Sequence, residues 1–243
     1  MANCLLISVM GCALIALGVA QRDALAGLVW LGGNFLVLGI AHGFSYHGVF
    51  GKRSDGTIPT ARSLFFLPLL AITTAVWHLA RLFSRGPATN RVTPDLVVGR
   101  RLLASEIDQE FDNCFDNCFD NYVDLTAEFS EPSPIRQRAG YVCFPILDGA
   151  APDPEALRAM ISRLRPGKTF VHCAQGYGRT GLFASALLIT QSAAVSAEDA
   201  LQILQAARPG IRLNRQQLSC ATELAKLVSQ TAPRPSEQPT SRQ

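Results

Sequence analysis

The stretch that most constrains this chain is residues 168–190. An apolar segment, Lys168-Thr-Phe-Val171, runs through His172 into Cys173, the loop Ala174-Gln175-Gly176-Tyr177-Gly178 follows, and Arg179 and Thr180 then open an apolar helical run to Thr190. Strand, glycine-containing loop and helix in this order make an anion site, because backbone N–H groups of the loop and of the helix N-terminus converge on one point. A thiol at the strand end gains thiolate character from those groups and from a nearby cation. Gly176 and Gly178 permit the backbone angles of a tight curl. Arg179, six positions after Cys173, supplies a planar fork that can hold two phosphate oxygens at once. The Thr180 hydroxyl is expected near the sulfur, where it would stabilise it as a leaving group.

The string His172-Cys173-x5-Arg179-Thr180 resembles the signature of cysteine-dependent protein tyrosine and dual-specificity phosphatases, and the resemblance extends over about residues 94 to 230. It implies a phosphoric monoester hydrolase that works through a phosphocysteine, with Cys173 as nucleophile and no cofactor or metal. Residues 174–179 would bind the phosphate, and His172 would hydrogen-bond backbone near Cys173. A phosphoryl group moved to sulfur leaves an oxygen that needs a proton, so a general acid is required on a separate loop. Asp148, in Phe144-Pro-Ile-Leu-Asp148-Gly-Ala-Ala-Pro152, falls where related phosphatases carry theirs; Asp153 is the alternative and also reads as a helix N-cap. In Arg208-Pro-Gly-Ile-Arg-Leu-Asn214-Arg-Gln-Gln217, Gln217, or less well Gln216, would orient the hydrolytic water, and a plain helix start is the competing reading.

Pattern supports the same fold class. Strand-like runs at 122–129, 141–144 and 168–173 alternate with helical runs at 153–164, 180–190, 197–207 and 214–230, which predicts an α/β domain with a mostly parallel sheet flanked by helices and ligands at the carboxyl ends of its strands. Residues 92–103 predict a strand pair around Gly99. A repeat, Phe111-Asp-Asn-Cys114, Phe115-Asp-Asn-Cys118, Phe119-Asp-Asn-Tyr122, could be a cysteine and aspartate metal cluster; a local duplication in a surface segment accounts for it better, since no histidine lies nearby. Cys143 could pair with Cys173, but its apolar strand favours a core thiol.

The front of the chain is different in kind. Only six charged residues precede position 81, although charged residues make up 17% of the sequence. Residues 3–21 and 24–46 are long and apolar enough to span a bilayer, and 64–81, which contains Pro68, forms a shorter third run. A signal peptide is the alternative for the first run, but it lacks a basic n-region and a second apolar run follows at once. Gly32, Gly33 and Gly39 would allow close helix approach. Residues 47–63 form a polar loop, and His42, His47 and His78 read as interfacial groups without a role. The expected organisation is therefore a transmembrane region over 1–83 with two or three helices, a linker over 84–93, a catalytic domain over 94–230 and a disordered tail over 231–243.

Net charge of +3 gives no reason to invoke nucleic acid, and seven cysteines in so long a chain do not make a disulfide framework. A catalytic thiol needs a reducing compartment, so the expected placement is multi-pass in a membrane with a cytoplasmic catalytic domain. The loop carries Ala174, Gln175 and Tyr177 where phosphoinositide phosphatases tend to place lysines, so the expected substrate is a phosphorylated protein, on tyrosine, serine or threonine. A phospholipid phosphate, such as a phosphatidylglycerol phosphate or a phosphoinositide, is the second reading, and a weakly active phosphate-binding membrane scaffold the third.

Overall fold

The structure, a computed structural model, describes residues 2–20, 26–84, 86–111 and 119–231. The chain opens with α1 (Ala2–Ala20) and α2 (Ala26–Gly43). They pack antiparallel through small residues: Gly11 meets Gly32, Ser8 meets Gly39 and Cys4 meets Gly43, and a Cβ on Gly11 would lie 2.8 Å from the Gly32 carbonyl oxygen. Gly33, by contrast, faces open space. Loop 44–59 leads to α3 (Thr60–Phe65) and α4 (Leu67–Phe83). The break between them falls just before Pro68, whose ring cannot continue the hydrogen-bond ladder. Trp30 Nε1 and Asn34 Nδ2 of α2 donate to the Phe65 carbonyl there, at 2.8 and 3.0 Å.

The remaining chain runs β1 (Thr89–Thr93), β2 (Leu96–Arg100), α5 (Ala104–Phe111), β3 (Asn121–Thr126), α6 (Ser133–Arg136), β4 (Tyr141–Ile146), α7 (Pro154–Ile161), β5 (Thr169–Cys173), α8 (Gly178–Thr190), α9 (Ala197–Ala207) and α10 (Arg215–Thr231). The strand order is β1-β2-β5-β3-β4. Only β1 and β2 pair antiparallel; β2 with β5, β5 with β3 and β3 with β4 are parallel, so the sheet is mixed. The hairpin turns at Pro94-Asp95 rather than at Gly99, and residues 89–93, expected in a linker, are its first strand. Polar Thr and Asn residues in that strand conceal it from a hydrophobicity pattern. Every residue of β3 and β5 is buried, because helices or loops cover both faces. Helix α8 is buried from Arg179 to Ile189, and its Leu182, Phe183 and Leu187 pack on Val123, Leu125 and Val171. The repeat lies outside the described residues between 112 and 118, and the tail beyond 231 lies outside them too.

The N-terminal region is not a separate unit. Ala41, Phe50, Phe66 and Leu69 share one core cluster with Ala127, Leu147 and Ala150, and Trp77 shares another with Phe129 and Ala174. Loop 44–59 closes over the ends of β3 and β4, with the Gly56 carbonyl accepting from Glu131 N at 2.9 Å and Ile58 N donating to Ser130 Oγ at 3.0 Å. Its Lys52 enters the interior, where Nζ lies 2.5 Å from Asp124 Oδ2 and donates to the Thr126 carbonyl and hydroxyl at 2.7 and 2.9 Å. Burial works against the Asp124 charge, and the Lys52 ammonium outweighs it, holding the carboxyl below its ordinary range.

Among the described residues one helix, Ala26–Gly43, is long and apolar enough to cross a membrane; the apolar segments Cys4–Ala20 and Leu67–Phe83 are shorter. For α4 a further fact weighs against a third span. Its Trp77 and Arg81 are bonded to the Ala174 and Arg101 carbonyls, and Arg81 also pairs with Glu106 at 2.5 Å, so its last turns lie on the polar edge of the sheet. Replacing Lys52 with Met should strand Asp124 as a buried unpaired charge and destabilise the protein by about 3–5 kcal/mol. Denaturant unfolding of the full chain checks this, and Lys52→Met combined with Asp124→Leu should recover much of the loss.

Candidate active site

Strand β5 delivers Cys173 to the carboxyl edge of the sheet, and α8 begins five residues later at Gly178. The loop between them is tightly specified. Gly176 has φ +74°, and a Cβ there would run into the Gly99 carbonyl, with Arg100 N only 2.7 Å away. Its own N–H donates to Cys173 Sγ at 3.3 Å. The loop carbonyls are held outward. Trp77 Nε1 donates to Ala174 O at 2.9 Å, Arg101 N donates to Cys173 O at 2.7 Å, and Arg208 donates to Gly176 O at 2.9 Å and Gln175 O at 3.2 Å. Arg208 is itself fixed by Pro87 O at 3.0 Å and Asn90 Oδ1 at 2.6 Å, and stacks 5.0 Å from the Tyr177 ring centroid. With its oxygens engaged outside, the loop is left to turn N–H groups inward.

Arg179 is buried, and Glu128 takes both ends of its fork, Nη1 at 2.8 Å and Nη2 at 2.7 Å, while Ile146 O accepts from Nη1 at 3.0 Å. Burial disfavours the guanidinium charge, but the Glu128 carboxylate overrides it and keeps the group protonated; burial likewise opposes the Glu128 charge, and Arg179 holds that carboxyl below its ordinary range. The Asp148 side chain is 86% exposed and reaches to 3.2 Å from Arg179 Nη2. Cys173, Arg179 and Asp148 therefore meet at one cavity with Ala174, Gln175, Tyr177 and Gly178. Thr180 is buried in the first turn of α8, and its hydroxyl has no hydrogen-bond partner among the described residues.

The loop that carries Asp148 is tied from two sides. His42 Nε2 lies 3.1 Å from Asp148 O, and Leu147 N donates to His47 Nδ1 at 3.2 Å, so two histidines that the sequence left without a role hold this loop. Burial lowers the His47 pKa, which suits the acceptor role of its Nδ1. Asn214 Nδ2 donates to Gly149 O at 2.7 Å and Gln217 Nε2 to Ala150 O at 3.2 Å. Gln217 and Asn214 also close the start of α10 reciprocally, each side chain accepting from the other's N–H, at 3.2 and 3.0 Å. The Gln217 amide stands against Gly178, where a Cβ would come within 3.1 Å of it, so the helix-start and site readings meet in one residue. Asp153 is the N-cap of α7, accepting from Ala156 N at 3.0 Å. Cys143 sits two strands from His172 in the sheet, with Asp124 between them, a separation near 10 Å that forbids a disulfide to the adjoining Cys173 without backbone movement.

Behind the loop lies a buried polar cluster. His172 Nε2 is 3.7 Å from Glu131 Oε1, Arg101 Nε is 3.4 Å from Glu131 Oε2, and Tyr141 OH donates to Asp124 Oδ2 at 2.8 Å. Donor atoms of Asp124, Glu131 and His172 fall within 4.8 Å of one another, a spacing a metal could use, but the Lys52 ammonium already neutralises Asp124 there. Burial lowers the His172 pKa to about 4, and burial together with the nearby Asp124 pushes Glu131 up to about 8. Lys52, Glu128, Arg101 and Arg208 are invisible as site residues in the sequence, because each acts across a long separation and none belongs to a local spacing.

These two groups set a pH dependence. A neutral buried His172 favours the folded state above its ordinary pKa of 6.5, and this contribution is lost as pH falls toward 4. A protonated buried Glu131 favours it below the ordinary 4.5, and this contribution is lost as pH rises toward 8. The slopes oppose each other between 4.5 and 6.5, and above 6.5 only Glu131 acts. Stability should therefore fall from pH 6.5 to 8, by up to about 1.4 kcal/mol per pH unit. Thermal melts across this window should show the fall, and Glu131→Gln should flatten it.

No protein-family model matches the chain, and no curated protein matches it. Solved structures do. PTPMT1 in complex with PI(5)P is 17% identical and aligns over 60% of this chain and 100% of its own, with a TM-score of 0.51. A mouse putative dual specificity phosphatase complexed with zinc tungstate is 19% identical over 63% and 97%, at 0.50, and a mutant form of Tk-PTP is 24% identical over 59% and 98%, also at 0.50. At these identities the likeness is one of fold: the mixed sheet and its flanking helices have the architecture of the dual-specificity phosphatases.

Proposed function

We propose that the protein is a membrane-associated, cysteine-dependent phosphatase that hydrolyses phosphate monoesters through a phosphocysteine. The observation that carries this reading is the outward tethering of the 173–176 carbonyls by Trp77, Arg101 and Arg208 around a buried cysteine whose sulfur accepts from Gly176 N–H. Such a cup suits three equatorial phosphate oxygens, and a scaffold that only bound phosphate would have no use for a sulfur at its base.

In the first step the Cys173 sulfur forms a bond to phosphorus while the ester P–O bond breaks, and Asp148 gives its proton to the departing oxygen. In the second, Asp148 takes a proton from water, the water oxygen bonds to phosphorus, and the P–S bond breaks, returning the thiolate and free phosphate. Thr180, in the first turn of α8 with a buried hydroxyl, would donate to the sulfur as it leaves in this reading. Gln217, fixed against Gly178, is the group that would steer the water. Glu128 keeps Arg179 extended toward the cup in the resting state.

Membrane association is supported by α2 and by the apolar residues exposed on the N-terminal helices, among them Leu5, Leu6, Val9, Val19 and Ile40. We place α1 and α2 in the bilayer as a hairpin and α4 along its surface. A reducing, cytoplasmic side for the catalytic domain follows from its thiol chemistry.

Cys173→Ser should lower turnover of p-nitrophenyl phosphate by roughly three orders of magnitude or more while phosphate binding persists; an active serine variant would refute the nucleophile assignment. Asp148→Asn should slow esters with poor leaving groups by about 100-fold and p-nitrophenyl phosphate far less. An equal loss on both would mean that Asp148 is structural.

A further inference from the structure

The cavity above Cys173 bears on which phosphate monoester can enter. It has a volume of about 400 Å³, within the usual range for small-molecule sites, about 300–1,000 Å³. Its floor is polar, the loop and Arg179, but its walls, apart from His42 and Thr73, are apolar. They are built by Leu38 of α2, Phe50 of the following loop, Leu69, Val76 and Trp77 of α4, and Leu147 of the acid loop. Most of that wall therefore belongs to the region that includes the membrane-crossing helix.

From these observations we infer that the substrate is a lipid carrying a single terminal phosphomonoester, drawn from the bilayer surface along α4. The inference rests on the phosphatase reading above. Three features favour a lipid over a phosphopeptide. A peptide strand lying against this wall would lose water from backbone N–H and C=O groups and find apolar side chains in exchange, whereas an acyl chain has no such groups to satisfy. The wall is also continuous with the outside: Val76 lines the cavity yet is 59% exposed, and Leu79, Leu82 and Phe83 carry the exposed apolar surface onward along α4. Finally, among the described residues Arg179 is the only fixed cation lining the cavity, and it stands beside the carboxylates of Glu128 and Asp148. A single phosphomonoester would rest on the loop N–H groups and Arg179, whereas a headgroup bearing several phosphates would have no second cation and would meet two like charges.

The experiment uses the full chain reconstituted in phosphatidylcholine vesicles. Turnover is compared for dioleoyl phosphatidic acid, dioleoyl phosphatidylglycerol phosphate, the short-chain water-soluble dibutyroyl form of each, a phosphotyrosine peptide and p-nitrophenyl phosphate. At least one dioleoyl lipid should exceed both its dibutyroyl form and the peptide by about 10-fold or more in kcat/KM, as expected for burial of several methylenes. Val76→Glu, at a solvent-facing position, should lower the ratio of dioleoyl to dibutyroyl kcat/KM by a similar factor, and Thr73→Asp, on the same face one turn earlier, should act in the same direction. A peptide turned over as fast as either lipid, or a ratio untouched by both substitutions, would overturn the inference while leaving the phosphatase reading standing. Failure to hydrolyse even p-nitrophenyl phosphate would remove the phosphatase reading, and this inference with it.

Discussion

Everything the site can do depends on where the oxygens of four consecutive peptide groups, those of residues 173–176, point. A loop that is to hold an anion must turn its N–H dipoles toward one centre, and the carbonyls it turns away must be satisfied elsewhere or the curl relaxes. Here three unrelated parts of the chain satisfy them: Trp77 of α4, the backbone N–H of Arg101 after β2, and Arg208 after α9. Gly176 fits because no Cβ can pass the Gly99 carbonyl. The cup is thus a property of the whole fold, although only five residues separate its cysteine from its arginine.

The same logic explains why the N-terminal helices cannot be regarded as a mere anchor. Trp77 shapes the loop after Cys173, His42 and His47 hold the loop that carries Asp148, and Lys52 neutralises Asp124 on the strand next to Cys173. Apolar contacts through Phe50, Phe66 and Leu69 weld these polar ones in place. The cavity takes its floor from the sheet and most of its walls from the N-terminal region, so neither part completes it alone.

Much of the candidate site's arrangement was legible in the sequence, for a local reason. Cys173, Gly176, Gly178 and Arg179 lie within one strand-loop-helix unit, so their spacing alone reports the geometry they adopt. Asp148 was reachable through its proline-containing loop, and Asp153 through cap chemistry. What stayed hidden acts over long separations: Lys52 and Asp124 are 72 residues apart, and Arg208 and Pro87 are 121. A lysine in a turn-rich loop reads as solvated, since nothing in its neighbours records a buried carboxylate waiting for it. The histidines of the apolar region misled for a similar reason, because their partners are backbone atoms of a loop about 100 residues later. The strand pair expected over 92–103 was placed too late in the chain because the polar residues of β1 carry no alternation, and its place at the sheet edge comes from pairing with β2.

Lys52 has one consequence for how the molecule is made. It leaves the ribosome well before Asp124, already attached to the N-terminal helices, so the carboxylate finds its counter-ion only when the sheet condenses against the loop that follows them. A chain cleaved at about residue 86 would retain Cys173 and Arg179 yet lose Lys52, Trp77 and both tethering histidines. Cleavage there would therefore release an unstable fragment, so the sheet and the N-terminal helices stand or fall as one folded unit.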